Sequence, residues 1–322
     1  MLLSWRAPLT TAAIALAGCH LAGGLSGLEY VDDAGAAGGT TTTGGTGATG
    51  ATGATGGTGG IGGMGGTGTA GGGDGGTATG GAPALDDSGL IVRYFIDEAD
   101  SGTVAELQDS APSPLPLSIV ASSVMSFTEI GGNRGLTWNA IGLDDRASVA
   151  IDGTKIHQRL QGSTTATIEL VLDLREATTS ASRISHIGWD TENGRLTLRT
   201  RDAQLILFHV SDGVPVGEFP VDLAGSGRVV IHAVVDTDLT TPSDRARLYV
   251  DAAPVAATGG TPQALGATID LSTGRHYVLG NREIGGRSFV GEMFYAALYD
   301  EALDPGTIAN NTAALQLSDD HP

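Results

Sequence analysis

The side chains of this chain that could do chemistry are carboxylates, a few histidines, two of its three tryptophans and one cysteine. A retaining glycosidase needs two carboxyl groups about 5–5.5 Å apart. On one strand face that asks for acids at alternate positions, and no apolar run here carries them. Glu292 stands alone in its run. Asp144-Asp145 and Asp300-Glu301 are adjacent, so on a strand they would point to opposite faces, and they read as solvated turn carboxylates. Asp97-Glu98 likewise follows a strand end. His157, His186, His209, His232 and His276 show no metal-ligand spacing, and His232 within "VVIHAVV" reads as a packed sheet residue. There is no Gly-x-Ser-x-Gly elbow. The chemistry expected is recognition rather than catalysis.

Trp138 and Trp189 are the candidates for stacking on the apolar face of a sugar ring, with core or rim packing as the competing reading. Trp189-Asp190 borders a turn at Asn193-Gly194, where a loop tip could hold a ligand. A Ca²⁺ ion would need oxygen ligands from separate loops. Asp144, Asp145, Asp190 and Asp251 are the available contributors, and the sequence does not bring them together. The expected ligand site draws on Trp189, Asp190, Trp138, Asp144 and Asp145.

The elements that must position these residues read as strands. Runs at 89–95 (GLIVRYF), 166–174 (ATIELVLDL), 183–189 (RISHIGW), 195–201 (RLTLRTR), 203–210 (AQLILFHV), 228–236 (RVVIHAVVD), 245–251 (RARLYVD), 275–281 (RHYVLGN) and 289–300 (FVGEMFYAALYD) are rich in β-branched, aliphatic and aromatic residues. In 195–201, leucines face one side and bases the other. Turn residues such as Glu192-Asn193-Gly194 and Ser211-Asp212-Gly213 separate the runs. Many strands with short turns predict an all-β fold, an antiparallel β-sandwich or jelly roll, rather than a parallel α/β fold. Gly280, Gly285 and Gly286 precede a strand, so they belong to a turn and not to a phosphate loop, which requires a helix directly after it. One helix is expected late, capped by Asp304, begun by Pro305, with Ile308, Ala309 and Thr312 sharing a face.

Composition sets the surroundings. Residues 34–82 hold 24 Gly, 13 Thr and 9 Ala among 49 positions and cannot bury a core. Glycine recurs every third residue from 44 to 73, the period of collagen, but the tract lacks the prolines a triple helix needs. A disordered tether is expected, with a typical reach of about 35–40 Å. From residue 85 onward there are 16 basic and 32 acidic residues. Such a domain repels phosphate backbones, which argues against nucleic acid as a partner.

The first residues, "MLLSWRAPLTTAAIALAGC", carry one positive charge, then a short apolar run ending Leu16-Ala17-Gly18-Cys19. This resembles the bacterial lipoprotein signal. The resemblance implies a signal peptide over 1–18, a diacylglycerol on Cys19 and a membrane partner through that anchor. With His20 rather than Asp after the cysteine, it implies an outer-membrane, extracytoplasmic location.

The folded part carries a second resemblance. "RVVIHAVVD" followed by "RARLYVD", the paired-strand stretch "GLTWNAIGLDDRASVAI" and the closing "YVLGNREIGGRSFVGEMFYAALYDEALDPGTIANN" are similar to the laminin-G-like, concanavalin A-like domains of bacterial surface proteins. The departure is Ala252 after Asp251, where that family usually has glycine. The organisation expected is a signal peptide (1–18), a lipidated N-terminus and linker (19–84), a laminin-G-like sandwich (85–316) and a tail (317–322). The function expected is a non-enzymatic binding or adhesion protein that recognises a glycan or a surface protein. A glycosidase or lyase of the same fold is the alternative.

Overall fold

The computed structural model describes residues 83–120, 125–177, 182–189 and 192–321. The expected signal peptide, Cys19, the glycine tether and Asp190 lie outside the described residues.

In chain order the strands are β1 (Leu90–Phe95), β2 (Glu106–Leu107), β3 (Leu117–Val120), β4 (Met125–Ile130), β5 (Asn133–Trp138), β6 (Arg146–Ala150), β7 (Thr165–Glu176) and β8 (Ser182–Gly188). They continue with β9 (Leu196–Arg201), β10 (Leu205–Val210), β11 (Gly217–Pro220), β12 (Arg228–Asp236), β13 (Ala246–Val250), β14 (Ala253–Val255), β15 (His276–Leu279) and β16 (Val290–Tyr299). Helices are α1 (Lys155–Leu160), too short to show a period in the sequence, and α2 (Pro305–Leu317).

The strands form two eight-stranded antiparallel sheets, ordered β14-β13-β12-β7-β16-β5-β4, with β1 also on β16, and β11-β10-β9-β8-β15-β6-β3-β2. The chain is therefore an antiparallel β-sandwich, as its alternating runs predict. The strands of 135–151, which the resemblance put in the place of that family's paired strands, go to opposite sheets: β5 pairs β4 and β16, and β6 pairs β3 and β15.

Period-2 alternation builds two cores. Leu170 and Leu172 of β7 and Ile231 and Ala233 of β12 turn inward to meet Leu196, Leu198 and Tyr277 of the second sheet. Val171, Val230, Val234, Tyr295 and Tyr299 turn to the outer face of the first sheet, where Ile308 and Leu315 of α2 cover them. The cap of α2 is as expected: Asp304 Oδ1 accepts from Gly306 N and Thr307 N, and Pro305 opens the helix. Its buried face is Ile308, Asn311, Thr312 and Leu315, whereas Ala309 is exposed. The i, i+3, i+4, i+7 stripe excludes Ala309. Beyond α2, Asp319 is buried and takes two bonds from Arg228, which ties this residue of the expected tail to the sheet.

The β13–β14 hairpin turns on Asp251 and Ala252 alone, both left-handed at φ 48° and 63°. Asp251 is compensated, since its Oδ1 accepts from Val230 N at 2.9 Å. Ala252 is not, and a left-handed L-residue costs about 1–2 kcal/mol, part of which glycine returns through the unfolded state. Ala252→Gly is expected to raise stability by about 0.5–1 kcal/mol, read as a higher urea midpoint at unchanged slope. A lower midpoint would show that the alanine methyl contributes more than its backbone strain costs.

Candidate functional site

Among the described residues, four places come into question for chemistry: the outward edge of the second sheet at Trp189, the loop cluster around Trp138, the layer beneath α2, and the facing acids of β7 and β16.

Trp189 follows the end of β8. The last residue of β8, Gly188, pairs with His276 on β15, which faces outward because its neighbour Tyr277 faces the core. The Trp189 ring lies 6.0 Å from the His276 ring at 31° and stays 46% exposed. One carboxylate stakes this turn down. Glu192 Oε2 accepts from Trp189 N at 3.1 Å, while Oε1 accepts from Arg275 at 2.5 Å and Arg195 at 3.2 Å. Gly194, at φ 119°, lets the turn lie directly on Thr197 and His186, where a Cβ would be 1.8 Å from Thr197 Oγ1. The result is a held aromatic surface facing solvent.

Trp138 is not such a surface. It is fully buried, its ring 5.3 Å from Phe289 and its Nε1 donating to the Asp145 carbonyl at 3.1 Å. The sugar-stacking expectation for Trp138 is therefore corrected: "GLTW" ends a strand whose last side chain closes the core. Asp145 is corrected likewise. It is 1% exposed rather than a solvated turn carboxylate, and its carbonyl also accepts from Asn281 Nδ2 at 2.9 Å. Asp144 remains exposed, with Gly285 packed against it.

The strand register separates these groups. Trp189 sits at the His276 end of β15, while Trp138, Asp144 and Asp145 sit around Gly280 and Asn281, past its Leu279 end. The expected site residues thus do not form one site. Asp251 is elsewhere again, in the β13–β14 hairpin of the first sheet. Among the described residues, no group of three or more His, Cys, Asp or Glu is placed to hold a metal ion.

Beneath α2 lies a polar network that the sequence did not announce. Glu169, in register with His232 on one side and Ala297 on the other, faces outward and is completely buried. Its Oε1 accepts from His232 Nε2 and Asn311 Nδ2, both at 2.8 Å. Its Oε2 accepts from the hydroxyls of Tyr295 at 2.8 Å and Tyr299 at 2.7 Å. Arg93 donates to both tyrosines in turn, and to Asp87. Burial alone would raise the Glu169 pKa, but the bonds from His232, Tyr299 and Asn311 and the His232 charge outweigh it and hold the carboxyl at about 2. Burial and the Glu169 charge push both tyrosines well up. Carboxylate, imidazole and phenols resemble an acid–base set, yet every lone pair of Glu169 is committed and α2 covers it. The adjoining cleft, about 570 Å³ and lined by Leu85, Asp87, Arg93, Phe95, Leu317 and His321 among others, reaches only Arg93, whose donors are already engaged. The network serves the fold.

A carboxylate pair does occur, across strands rather than along one. Asp173 of β7 stands directly opposite Glu292 of β16, where Cβ atoms are about 4.5–5.5 Å apart. Glu292 is 2% exposed and its pKa is raised by burial, with Asp173 adding to the rise against an ion pair to Arg175.

Two antiparallel sheets in this order define a jelly-roll-like β-sandwich, a fold that solved structures share. The fold is similar to Trypanosoma rangeli sialidase in complex with 2,3-difluorosialic acid, at 15% identity over 74% of this chain and 35% of that one, with a TM-score of 0.50. The same enzyme with the inhibitor DANA gives 13% identity, 74% and 34% coverage and a TM-score of 0.51. The binding domain of botulinum neurotoxin serotype D/C is similar at 9% identity, 71% and 52% coverage and a TM-score of 0.47. The chain spans about a third of the length of the sialidase it matches. No protein-family model matches the sequence. No curated protein matches it either.

Proposed function

We propose that this is a lipid-anchored protein of the bacterial cell envelope whose sandwich binds a glycan at the Trp189 edge of the second sheet. The observation that carries the reading is the half-exposed Trp189 ring, braced by His276 and held by Glu192. An aromatic face offered to solvent with a fixed orientation suits the C–H face of a sugar, and the ordering cost of the ring is already met by the fold. Leu16-Ala17-Gly18-Cys19 supports the anchor, and the glycine tract supports presentation away from the membrane. The sialidase that shares the fold is solved with a sialic-acid derivative, which accords with a sugar ligand. The partner surface would be a glycan, with a surface protein as the competing ligand.

The test is a glycan array with the purified chain, with and without Ca²⁺. Trp189→Ala should weaken the hits by about tenfold or more, as loss of a central aromatic contact does, while moving stability by no more than about 0.5 kcal/mol, as expected for a surface change. Undiminished binding by Trp189→Ala would remove the site from this edge. For the anchor, Cys19→Ser should abolish incorporation of labelled palmitate and release the chain from membranes.

A second reading, a glycan-cleaving enzyme, is favoured by the cross-strand pair Asp173–Glu292, a raised carboxyl beside a second acid. It ranks second because Glu292 is almost wholly enclosed and tied to Arg175. Release of reducing ends from an array hit, lost in Glu292→Gln, would place it first.

A further inference from the structure

The outer face of the second sheet holds charges that the acidic balance of the chain makes unexpected. Arg183 of β8 is in register with Arg199 of β9, so two guanidinium groups stand on directly opposite residues. On the other side of β8, Arg183 N donates to the Arg287 carbonyl at 2.8 Å, which sets a third arginine beside them. Arg282 lies in the turn between, close enough to act electrostatically on Arg183. Like charges directly opposite on neighbouring strands destabilise a sheet.

Counter-charge at Arg183 and Arg199 is thin. Arg183 is 4% exposed, its Nη2 donates to a neutral acceptor, the Glu192 carbonyl at 3.1 Å, and its buried Nε has no hydrogen-bond partner. Arg199 Nη1 donates to Asn193 Oδ1, again neutral, and its Nε is also unbonded. Among the described residues, neither arginine makes an ion pair. Asp212 and Glu218 are the acids that reach them electrostatically, and Asp212 Oδ1 is committed to Asn193 N and Gly194 N. Burial first, then the neighbouring arginines, push Arg183 down to about 9. An enclosed guanidinium with an unused donor, in a row of others, is a costly arrangement that a bound oxyanion would relieve.

We propose that Arg183, Arg199 and Arg287 form a subsite for the carboxylate or sulfate group of an acidic polysaccharide. The proposal rests on the glycan-binding reading above and names the class of glycan. Both features lie on β8: Arg183 near its start and Trp189 just past its end, six residues apart, or about 20 Å at the rise of a strand. The turn at 192–194 lies between them and is held by Arg183 and Arg199 on one side and by Trp189 N on the other. A short oligosaccharide laid across the 192–194 turn, which covers β8, would place a sugar face on Trp189 and an acidic group at the Arg199 side of the row.

The experiment measures binding of the full chain to dextran, dextran sulfate and polygalacturonate at rising NaCl, with Arg199→Gln, Arg247→Gln and Trp189→Ala. Inorganic sulfate is run separately in a thermal-shift assay against chloride at equal ionic strength. At least one acidic polymer should bind about tenfold or more tightly than dextran. The arm that responds distinguishes sulfate from carboxylate. Arg199→Gln should remove that advantage, while Arg247→Gln, the same charge change on the first sheet, should keep it. Equal binding of neutral and acidic polymers overturns the subsite, as does equal loss in both arginine variants. Equal affinity for a DNA oligonucleotide overturns the assignment to a polysaccharide. Sulfate should raise the melting temperature of the unaltered chain and not of Arg199→Gln. If that holds while no polysaccharide binds, the glycan reading fails and an anion site stands without it. If sulfate protects neither, the subsite fails even where Trp189-dependent binding to neutral glycans survives.

Discussion

Glu169→Gln is expected to cost about 3–5 kcal/mol at neutral pH, the range for removing one member of a buried hydrogen-bonded group that carries charge. The carboxylate accepts four hydrogen bonds, from His232, Asn311, Tyr295 and Tyr299, at 2.7–2.8 Å. An amide replaces one acceptor oxygen by an NH₂ that meets donors, and it removes the charge that Arg93 and His232 face. The size is matched by titration. The carboxyl is held at about 2 in the fold against 4.5 as its ordinary value, which corresponds to roughly 3 kcal/mol at about 1.4 kcal/mol per pH unit. Because the folded value is the lower one, this stability is fully present above the unfolded value. It is lost as pH falls from about 5 toward 2. Urea denaturation of both proteins at pH 7 and at pH 3 therefore separates the network from general acid effects: the gap should be wide at pH 7 and narrower at pH 3. A gap under about 1 kcal/mol at pH 7 would fall below the buried-pair range and sink the account, and so would a gap independent of pH. Docking of α2 should suffer first, since Asn311 ties it directly to the Glu169 carboxylate.

Why this network escaped a reading of the sequence has a physical answer. In "ATIELVLDL" Glu169 occupies an outward position between inward Ile168 and Leu170, the ordinary pattern of a strand with one wet face. His232, Tyr295 and Tyr299 obey the same alternation on their own strands. Nothing local says that this outer face is covered by a helix more than 130 residues later. Asn311, which meets Glu169 from α2, was not on the helix face that the sequence suggested, Ile308, Ala309 and Thr312. The arginine row and the Asp173–Glu292 pair were hidden for the same reason. Each depends on which strands become neighbours and in what register, which one strand's pattern does not encode.

The strands themselves were legible. Leu196 and Leu198 against Arg199 and Arg201, or Ile231 and Ala233 against Val230 and Val234, mark sandwich strands whichever neighbours they take. The capped start of α2 was legible too, because capping is a local matter of Asp304 and Pro305. The tryptophans were legible only as a pair of candidates. Both stand at strand ends beside turns, and what separates them is whether another loop closes over the ring. For Trp138 that loop is the glycine-rich stretch at 280–288. For Trp189 none of the described residues closes over it.

Trp138→Ala should cost about 3–5 kcal/mol, the usual range for truncating a fully buried large aromatic, and should leave glycan binding by the folded fraction unchanged. The ring has Phe289 at 5.3 Å on one side, a hydrogen bond to the Asp145 carbonyl, and Gly280 pressed against it. Gly280 is itself informative. At φ 74° it is left-handed, and a Cβ there would lie 2.1 Å from the Trp138 ring. Gly280→Ala should therefore destabilise through two separable causes: about 1–2 kcal/mol for the backbone, and a further overpacking cost of about 1–3 kcal/mol against the indole. A double-mutant cycle separates them, because removing the indole removes the clash but not the backbone strain. Gly280→Ala should cost less in the Trp138→Ala background than alone, with a coupling of about 0.5–3 kcal/mol as for residues in contact. Additive costs would mean that the 280–288 loop moves away from the ring at little expense. In that case Trp138 could be uncovered and would return as a stacking surface, visible as loss of glycan binding in Trp138→Ala at a denaturant-free temperature where the variant is folded.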